Sequence, residues 1–186
     1  MKIFCDFDNT LAKTNEAIVK CVNEKFHLGC KEEDISDWGY RSLYSGMTEA
    51  DIENFFESDT FWNNVCLYTG ALDVLKGHEV YLCTVGTSKN LAKKRAFAES
   101  NGFIPAFVNS DYGYHSSDKK MFDMSGAIQI GDTWREMEYT NADVKILFKD
   151  YHDYEWQQVP PNVDVYIVDS WEEISDIIRW YGLYGR

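Results

Sequence analysis

Two aspartates one residue apart, Asp6 and Asp8, follow directly on the apolar run Ile3-Phe4-Cys5 in the segment KIFCDFDNTL, Lys2 to Leu11. Residues i and i+2 of an extended chain share a face, so both carboxylates can enter one crevice. One can then attack an electrophilic centre while the other moves a proton. Two carboxylates this close repel each other unless a cation lies between them, and hard oxygen donors select a hard ion, Mg²⁺ first. The ordinary alternative is a solvated Asp-x-Asp loop that caps the next helix. Position after a buried parallel strand favours chemistry, because open α/β sheets bind ligands at the carboxyl ends of their strands.

Three further polar positions recur in a comparable setting. Thr84 ends the run EVYLCT, where its hydroxyl and the amides of Val85 and Gly86 can hold phosphate oxygens; a threonine there can equally reflect strand propensity alone. Lys119 and Lys120 precede the next apolar run, where one ammonium can offset the charge of a nucleophile and a transferring phosphoryl group, or both can lie solvated at the surface. Asp132 ends AIQIGD and, with Asp6 and the backbone carbonyl of Asp8, completes an oxygen donor set suited to Mg²⁺. Glu136, one helical turn later, either orders a metal-bound water or simply favours the start of a helix. Asp6 as nucleophile and Asp8 as acid and then base would split one displacement at phosphorus into two easier ones.

The elements that must position these residues follow from periodicity and caps. Thr14 caps a helix through Phe26 that Gly29 breaks; Thr48 and Asp51 form a capping box; Gly70 to Lys76 is a short helix closed by Gly77. Strands are expected at Glu79 to Thr84, Phe103 to Val108, Ala127 to Ile130, Val144 to Phe148 and Val163 to Val168. Ser88 caps a helix closed by Gly102, Asn109 to Lys120 is a polar loop, Thr133 opens a helix, and Ser170 with Glu173 caps a last helix ended by Gly182. Alternating strands and helices predict an α/β, Rossmann-like, doubly wound parallel sheet. Residues 14–66, aromatic and mostly helical, read as a small cap inserted after the first strand; 1–13 and 67–186 read as the core domain. Gly29, Gly39 and Gly46 would permit that cap to hinge.

Composition narrows the function. A chain of 186 residues, 45% hydrophobic and 16% aromatic, can bury a core. A formal charge of -13 repels polyanions, which argues against a nucleic-acid polymer but not against a small phosphorylated molecule. Five cysteines without C-x-x-C spacing suit buried thiols, and no run suits a signal peptide or a membrane span, so a cytoplasmic location is expected.

The order Asp6/Asp8, Thr84, Lys119 or Lys120, Asp132, beginning with D-x-D-x-T after a strand, resembles the haloacid dehalogenase-like (HAD) phosphatase superfamily. The resemblance implies a Mg²⁺-dependent phosphomonoesterase with an aspartyl-phosphate intermediate, and its Asp-Lys pattern, Asp118-Lys119 here, favours Lys119 over Lys120. Phe61-Trp62, YTGALDVLK and EVYLCT are more specifically similar to the 5'(3')-deoxyribonucleotidase branch, in which aromatic residues of a small helical cap stack on the base. That implies a nucleoside monophosphate as substrate, with Phe61 and Trp62 as substrate-binding residues and Phe55, Phe56, Trp38 and Tyr44 as further candidates, most of them core. DFDNT and Gly131-Asp132 replace that branch's Asp-Met-Asp-Gly-Val and paired aspartates, which leaves base and sugar preference open. Another small phosphate ester, or a catalytically silent nucleotide-binding domain, are the alternatives; the oligomeric state is open.

Overall fold

The computed structural model describes residues 1–102, the backbone of 106–108, and residues 119–184. In chain order these form β1 (Lys2–Cys5), α1 (Thr14–Phe26), α2 (Glu49–Glu57), α3 (Asp59–Asn64), α4 (Ala71–Leu75), β2 (Glu79–Cys83), α5 (Ser88–Ser100), β3 (Ala106–Val108), β4 (Ala127–Gly131), α6 (Trp134–Met137), β5 (Val144–Phe148), β6 (Tyr166–Val168) and α7 (Trp171–Tyr184). The loop expected over Asn109 to Asp118 lies outside the described residues.

The strands form one parallel sheet in the order β3-β2-β1-β4-β5-β6. From β1 the chain builds outward through β2 to β3, then returns to the other side of β1 with β4 and builds outward again. The switch therefore falls between β1 and β4, the place where open α/β sheets open a crevice beyond their strand ends. Ile3, Cys5, Ile128 and Ile130 are buried because helices cover both faces, which is why these central strands are continuous apolar runs rather than alternating ones.

Several boundaries move by a residue or more, each for a local reason. Thr14 does not cap α1: it lies in the first turn and its hydroxyl donates to Asn9 Oδ1, while the helix closes at His27 in the left-handed region (φ 55°), before Gly29. Thr87, not Ser88, caps α5 by accepting the Asn90 N–H, and α7 continues through Gly182 to Tyr184. The Thr48–Asp51 capping box forms, and Ser170 and Glu173 exchange reciprocal bonds at the start of α7. β2 ends at Cys83, one residue before Thr84.

The helices of residues 14–66 share one hydrophobic cluster with the sheet, joining Ile18, Ile52, Phe55 and Phe61 to Ile3 and Ile128. Their α2–α3 corner is tied to α5 of the sheet layer. Asn90 Nδ2 donates to Phe56 O at 3.1 Å, Lys89 pairs with Glu57 at 2.9 Å and Lys93 with Asp59 at 2.8 Å. All five cysteines are unpaired. Among the described residues, no helix is long and apolar enough to cross a membrane.

Candidate active site

Asp6 leaves the sheet immediately beyond β1, with its N–H bonded to Ile130 O of β4 at 2.9 Å. Its carboxylate is fixed at both oxygens: Phe7 N donates to Oδ1 at 2.7 Å and Lys119 Nζ to Oδ2 at 2.6 Å. The same ammonium lies 2.7 Å from Glu136 Oε2. Burial works against a charged Lys119, but Asp6 and Glu136 outweigh it and hold the side chain protonated far above its ordinary range. Lys119 is thus buried against the nucleophile candidate, whereas its neighbour Lys120 is exposed.

The turn carrying Asp8 is built by Asn9, a non-glycine residue at φ 49°. Its side chain accepts from Thr14 Oγ1 and Asn15 N, both at 2.9 Å, and donates to Asn15 Oδ1 at 3.0 Å. Asparagine tolerates this conformation better than most residues, and three hydrogen bonds hold it there. The effect is to turn the chain from β1 into α1 while Asp8 remains at the mouth of the crevice, 29% of its side chain exposed. Thr10, expected to help hold this turn, is buried and its carbonyl accepts the Trp171 indole N–H at 3.0 Å.

Lys94 is the residue that sequence reasoning missed. It sits on α5 with 1% exposure, and its ammonium donates to Asp8 Oδ2, to Thr84 Oγ1 at 2.7 Å and to Val85 O at 2.9 Å. Because Lys94 donates to the Thr84 oxygen, the hydroxyl keeps its own proton for another acceptor. Desolvation raises the Asp8 carboxyl above its usual range, with Lys94 opposing and Asp6 adding to the rise. Gly86 follows in the same turn; a Cβ there would fall 2.2 Å from Asn90 Oδ1, so any larger residue must displace the Asn90 amide.

Asp132 follows β4 and is buried, and its Oδ1 accepts from Thr133 Oγ1 at 3.1 Å. Burial first, then Asp6 and Glu136, push its carboxyl well above the usual range; burial also raises Glu136, against the pull of Lys119. Asp6 and Glu136 therefore share the ammonium of Lys119, and Asp132 adds a further buried carboxyl beside them. Asp8 Oδ1 is buried and has no partner among the described residues. Among those residues no three His, Cys, Asp or Glu side chains form a metal cluster by themselves. A donor set of two carboxylates and a backbone carbonyl, with waters for the rest, does not require one, and its surplus of negative charge fits a hard divalent cation.

Asp6, Asp8, Thr84, Val85, Gly86, Lys94, Asp132 and Glu136 line one cleft of about 1130 Å³ at the switch between β1 and β4. Phe61 and Trp62 do not line it. Phe61 has no exposure, and Trp62 gives its N–H to Phe56 O and packs on Phe7 and Phe97, so both rings are core beneath the α2–α3 corner. Among the described residues, the aromatic side chains that do line the cleft are Trp38, Tyr40 and Phe56 of residues 14–66, Trp134 at the start of α6 and Trp156 of the segment after β5.

The described residues form an open, parallel, doubly wound α/β sheet with a carboxylate cleft at its switch point, and its fold is similar to that of solved HAD-type structures. A predicted phosphatase from Clostridium acetobutylicum is similar over 96% of this chain and 98% of its own, at 18% identity and a TM-score of 0.68. A HAD-superfamily hydrolase of subfamily IA from Geobacter sulfurreducens is similar over 95% of both chains (15% identity, TM-score 0.59). A HAD hydrolase from Bacillus subtilis bound to magnesium is similar over 95% of this chain and 97% of its own (14% identity, TM-score 0.63). No family model and no curated protein matches the sequence. At these identities the likeness is one of fold.

Proposed function

We propose that this chain is a phosphomonoesterase working through an aspartyl-phosphate on Asp6, and that its substrate is a nucleoside monophosphate. The observation that carries the reading is the pairing of two acids with two buried lysines at one strand-end cleft: Asp6 with Lys119, and Asp8 with Lys94 and Thr84. Asp6, held at both oxygens, is aimed rather than free to swing, so it approaches phosphorus in line as the ester oxygen leaves opposite it. Asp8, whose carboxyl is raised by desolvation, gives its proton to that leaving oxygen. In the second half-reaction Asp8 takes a proton from the water that attacks the aspartyl-phosphate, which frees inorganic phosphate and restores Asp6. The free Thr84 proton and the turn amides supply donors for the equatorial oxygens. Asp6, Asp132 and the Asp8 carbonyl would hold Mg²⁺, which when bound offsets the charge of the carboxylates and the phosphoryl group.

The helical segment 14–66 then acts as the cap. A cleft of about 1130 Å³ exceeds the roughly 300 to 1,000 Å³ of typical small-molecule sites, so it holds far more than a phosphate. Its aromatic lining favours a ring-bearing ester over a sugar phosphate.

The test is phosphate release from nucleoside 5'- and 3'-monophosphates, sugar phosphates and p-nitrophenyl phosphate, with Mg²⁺ or a chelator, beside Asp6→Asn. Release that depends on Mg²⁺ and disappears in Asp6→Asn is expected. Nucleotide binding without release from any ester would leave only a binding domain.

A further inference from the structure

The outer half of the cleft contains two tryptophans that nothing in the catalytic scheme uses. Trp38 belongs to the segment between α1 and α2 and is 58% exposed; Trp156 belongs to the segment between β5 and β6. Their rings meet at 5.4 Å and 81°, an L-shaped corner in which a flat ring lying on one indole meets the other edge-on. The corner is braced from behind: Trp156 stacks on Tyr154 at 4.3 Å and Tyr154 on His152 at 4.8 Å. The segment that presents Trp156 begins with Asp150 and Tyr151, both non-glycine residues at positive φ (49° and 64°), and is pinned by Tyr151 N donating to Asp169 Oδ1 at 2.9 Å. A chain held in two consecutive strained conformations to place an indole in a cleft is a feature that packing alone does not require.

Charge gives the corner its chemistry. Glu49, Glu53, Glu138 and Glu155 line the cleft beyond the catalytic acids and, among the described residues, are in no ion pair, against two guanidinium groups, Arg41 and Arg135. Asp37 lines the same cleft, but its carboxylate is taken up by the N–H groups of Gly39, Arg41 and Ser42. The ring that enters therefore meets an excess of acceptors. Cytosine presents an exocyclic amino donor at C4, where uracil and thymine present a carbonyl acceptor, and adenine presents its amino donor at C6. Carboxylates attract the first edge and repel the second.

Resting on the phosphatase reading above, we infer that Trp38 and Trp156 form the base site, and that the surrounding carboxylates select nucleoside monophosphates whose base carries an amino group at C4 of a pyrimidine or C6 of a purine, cytosine or adenine, over those of uracil or thymine.

The experiment is calorimetric binding to the Asp6→Asn protein, which needs no turnover. Its panel is the monophosphates of cytidine, adenosine, uridine and thymidine, pyridoxamine 5'-phosphate as an aminated ring without a nucleoside, and glycerol 3-phosphate as an ester without a ring. The amino-bearing nucleotides are expected to bind at least tenfold tighter than the other two. Trp38→Ala and Trp156→Ala should each weaken them about tenfold, the lower end of measured base–aromatic stacking. Glu49→Gln with Glu53→Gln, or Glu155→Gln, should bring the cytidine-to-uridine ratio toward one. Trp38 is exposed, so its loss does not threaten folding; unchanged circular dichroism verifies this for every variant. Equal affinity for all four bases, or no effect of either tryptophan, would overturn the inference, as would pyridoxamine phosphate binding tighter than both nucleotides. The predicted base ranking with no phosphate release by the unmutated protein would instead sink the phosphatase reading and leave the base site standing.

Discussion

At the scale of single residues, the site is organised by two buried lysines, and their surroundings make different predictions. Lys119 compensates a group that must be charged to act. Lys94 has 1% exposure and three oxygen acceptors, so removing it leaves Asp8, Thr84 and Val85 O without their common donor. Losing one partner of a buried ion pair typically costs about 3 to 5 kcal/mol, because the other charge is left uncompensated. Lys94→Met is therefore expected to lower the melting temperature and to cut kcat by at least about a hundredfold on alkyl phosphate esters. The loss should be smaller on p-nitrophenyl phosphate, whose leaving group needs little help from a proton donor. A uniform loss on both substrates would mean that Lys94 supports the fold and not the placement of Asp8. Lys94→Arg should fail to restore activity, since the larger planar guanidinium has no room in a closed pocket.

At the scale of elements, what was legible in the sequence was what short-range patterns encode. Apolar runs ending in acids identified β1 and β4 and placed Asp6 and Asp132 together, because parallel neighbours at a switch point bring their strand ends to one crevice. Lys94 was not legible: in SKNLAKKRAF it is one of three lysines on a helix with little apolar periodicity, and nothing local distinguishes the buried one from the solvated Lys89. Phe61 and Trp62 misled in the opposite direction. An aromatic pair matches a substrate platform and a core equally well, and large rings gain most by burial. The turn from β2 to α5 couples both kinds of information. There Gly86 leaves room for Asn90, whose side chain reaches across to Phe56 O. Gly86→Ala must displace that side chain, which removes one of the three ties on the α2–α3 corner and disturbs the candidate phosphate turn. A destabilisation of about 1 to 3 kcal/mol is expected, seen as a melting temperature lower by several degrees, with a raised KM for every phosphate ester. A variant with normal stability and KM would show that the turn is not under this constraint.

At the scale of the whole molecule, the α2–α3 corner and the segment from Cys30 to Met47 are held differently, and this locates any opening of the cleft. The corner is tied to α5 by ion pairs and an amide hydrogen bond. The segment before it meets the 150–158 segment directly through Trp38 against Trp156 and His152 Nε2 at 3.4 Å from Glu32, and indirectly through Asn15 of α1, whose Oδ1 accepts from Tyr40 Oη at 3.0 Å and whose Nδ2 donates to Tyr154 Oη at 3.4 Å. Gly39 and Gly46, expected to permit a hinge, both lie in this segment; at Gly46 a Cβ would fall 2.8 Å from the Tyr44 ring, so its role is also steric. The His152 contact makes closure sensitive to pH. The hydrogen bond to Glu32 raises the imidazole above its ordinary value near 6.5, burial opposes, and the charges of Glu32 and Asp150 add to the rise. A group whose folded value is raised contributes its stabilisation fully below the unfolded value and loses it as pH climbs through the folded one. The two segments should therefore hold together at pH 6 and loosen in the range above 6.5. Hydrogen exchange, corrected for the intrinsic pH dependence of amide rates, is expected to show less protection of residues 30–47 at pH 8.5 than at pH 6, with the α2–α3 corner unchanged. The formal charge of -13 varies with pH as well, so the decisive comparison is with His152→Gln, which cannot ionise. Its segment should be as loosely held at pH 6 as the unmutated one is at pH 8.5. If the variant keeps the full pH dependence, the effect belongs to the general charge of the molecule and not to the His152–Glu32 contact.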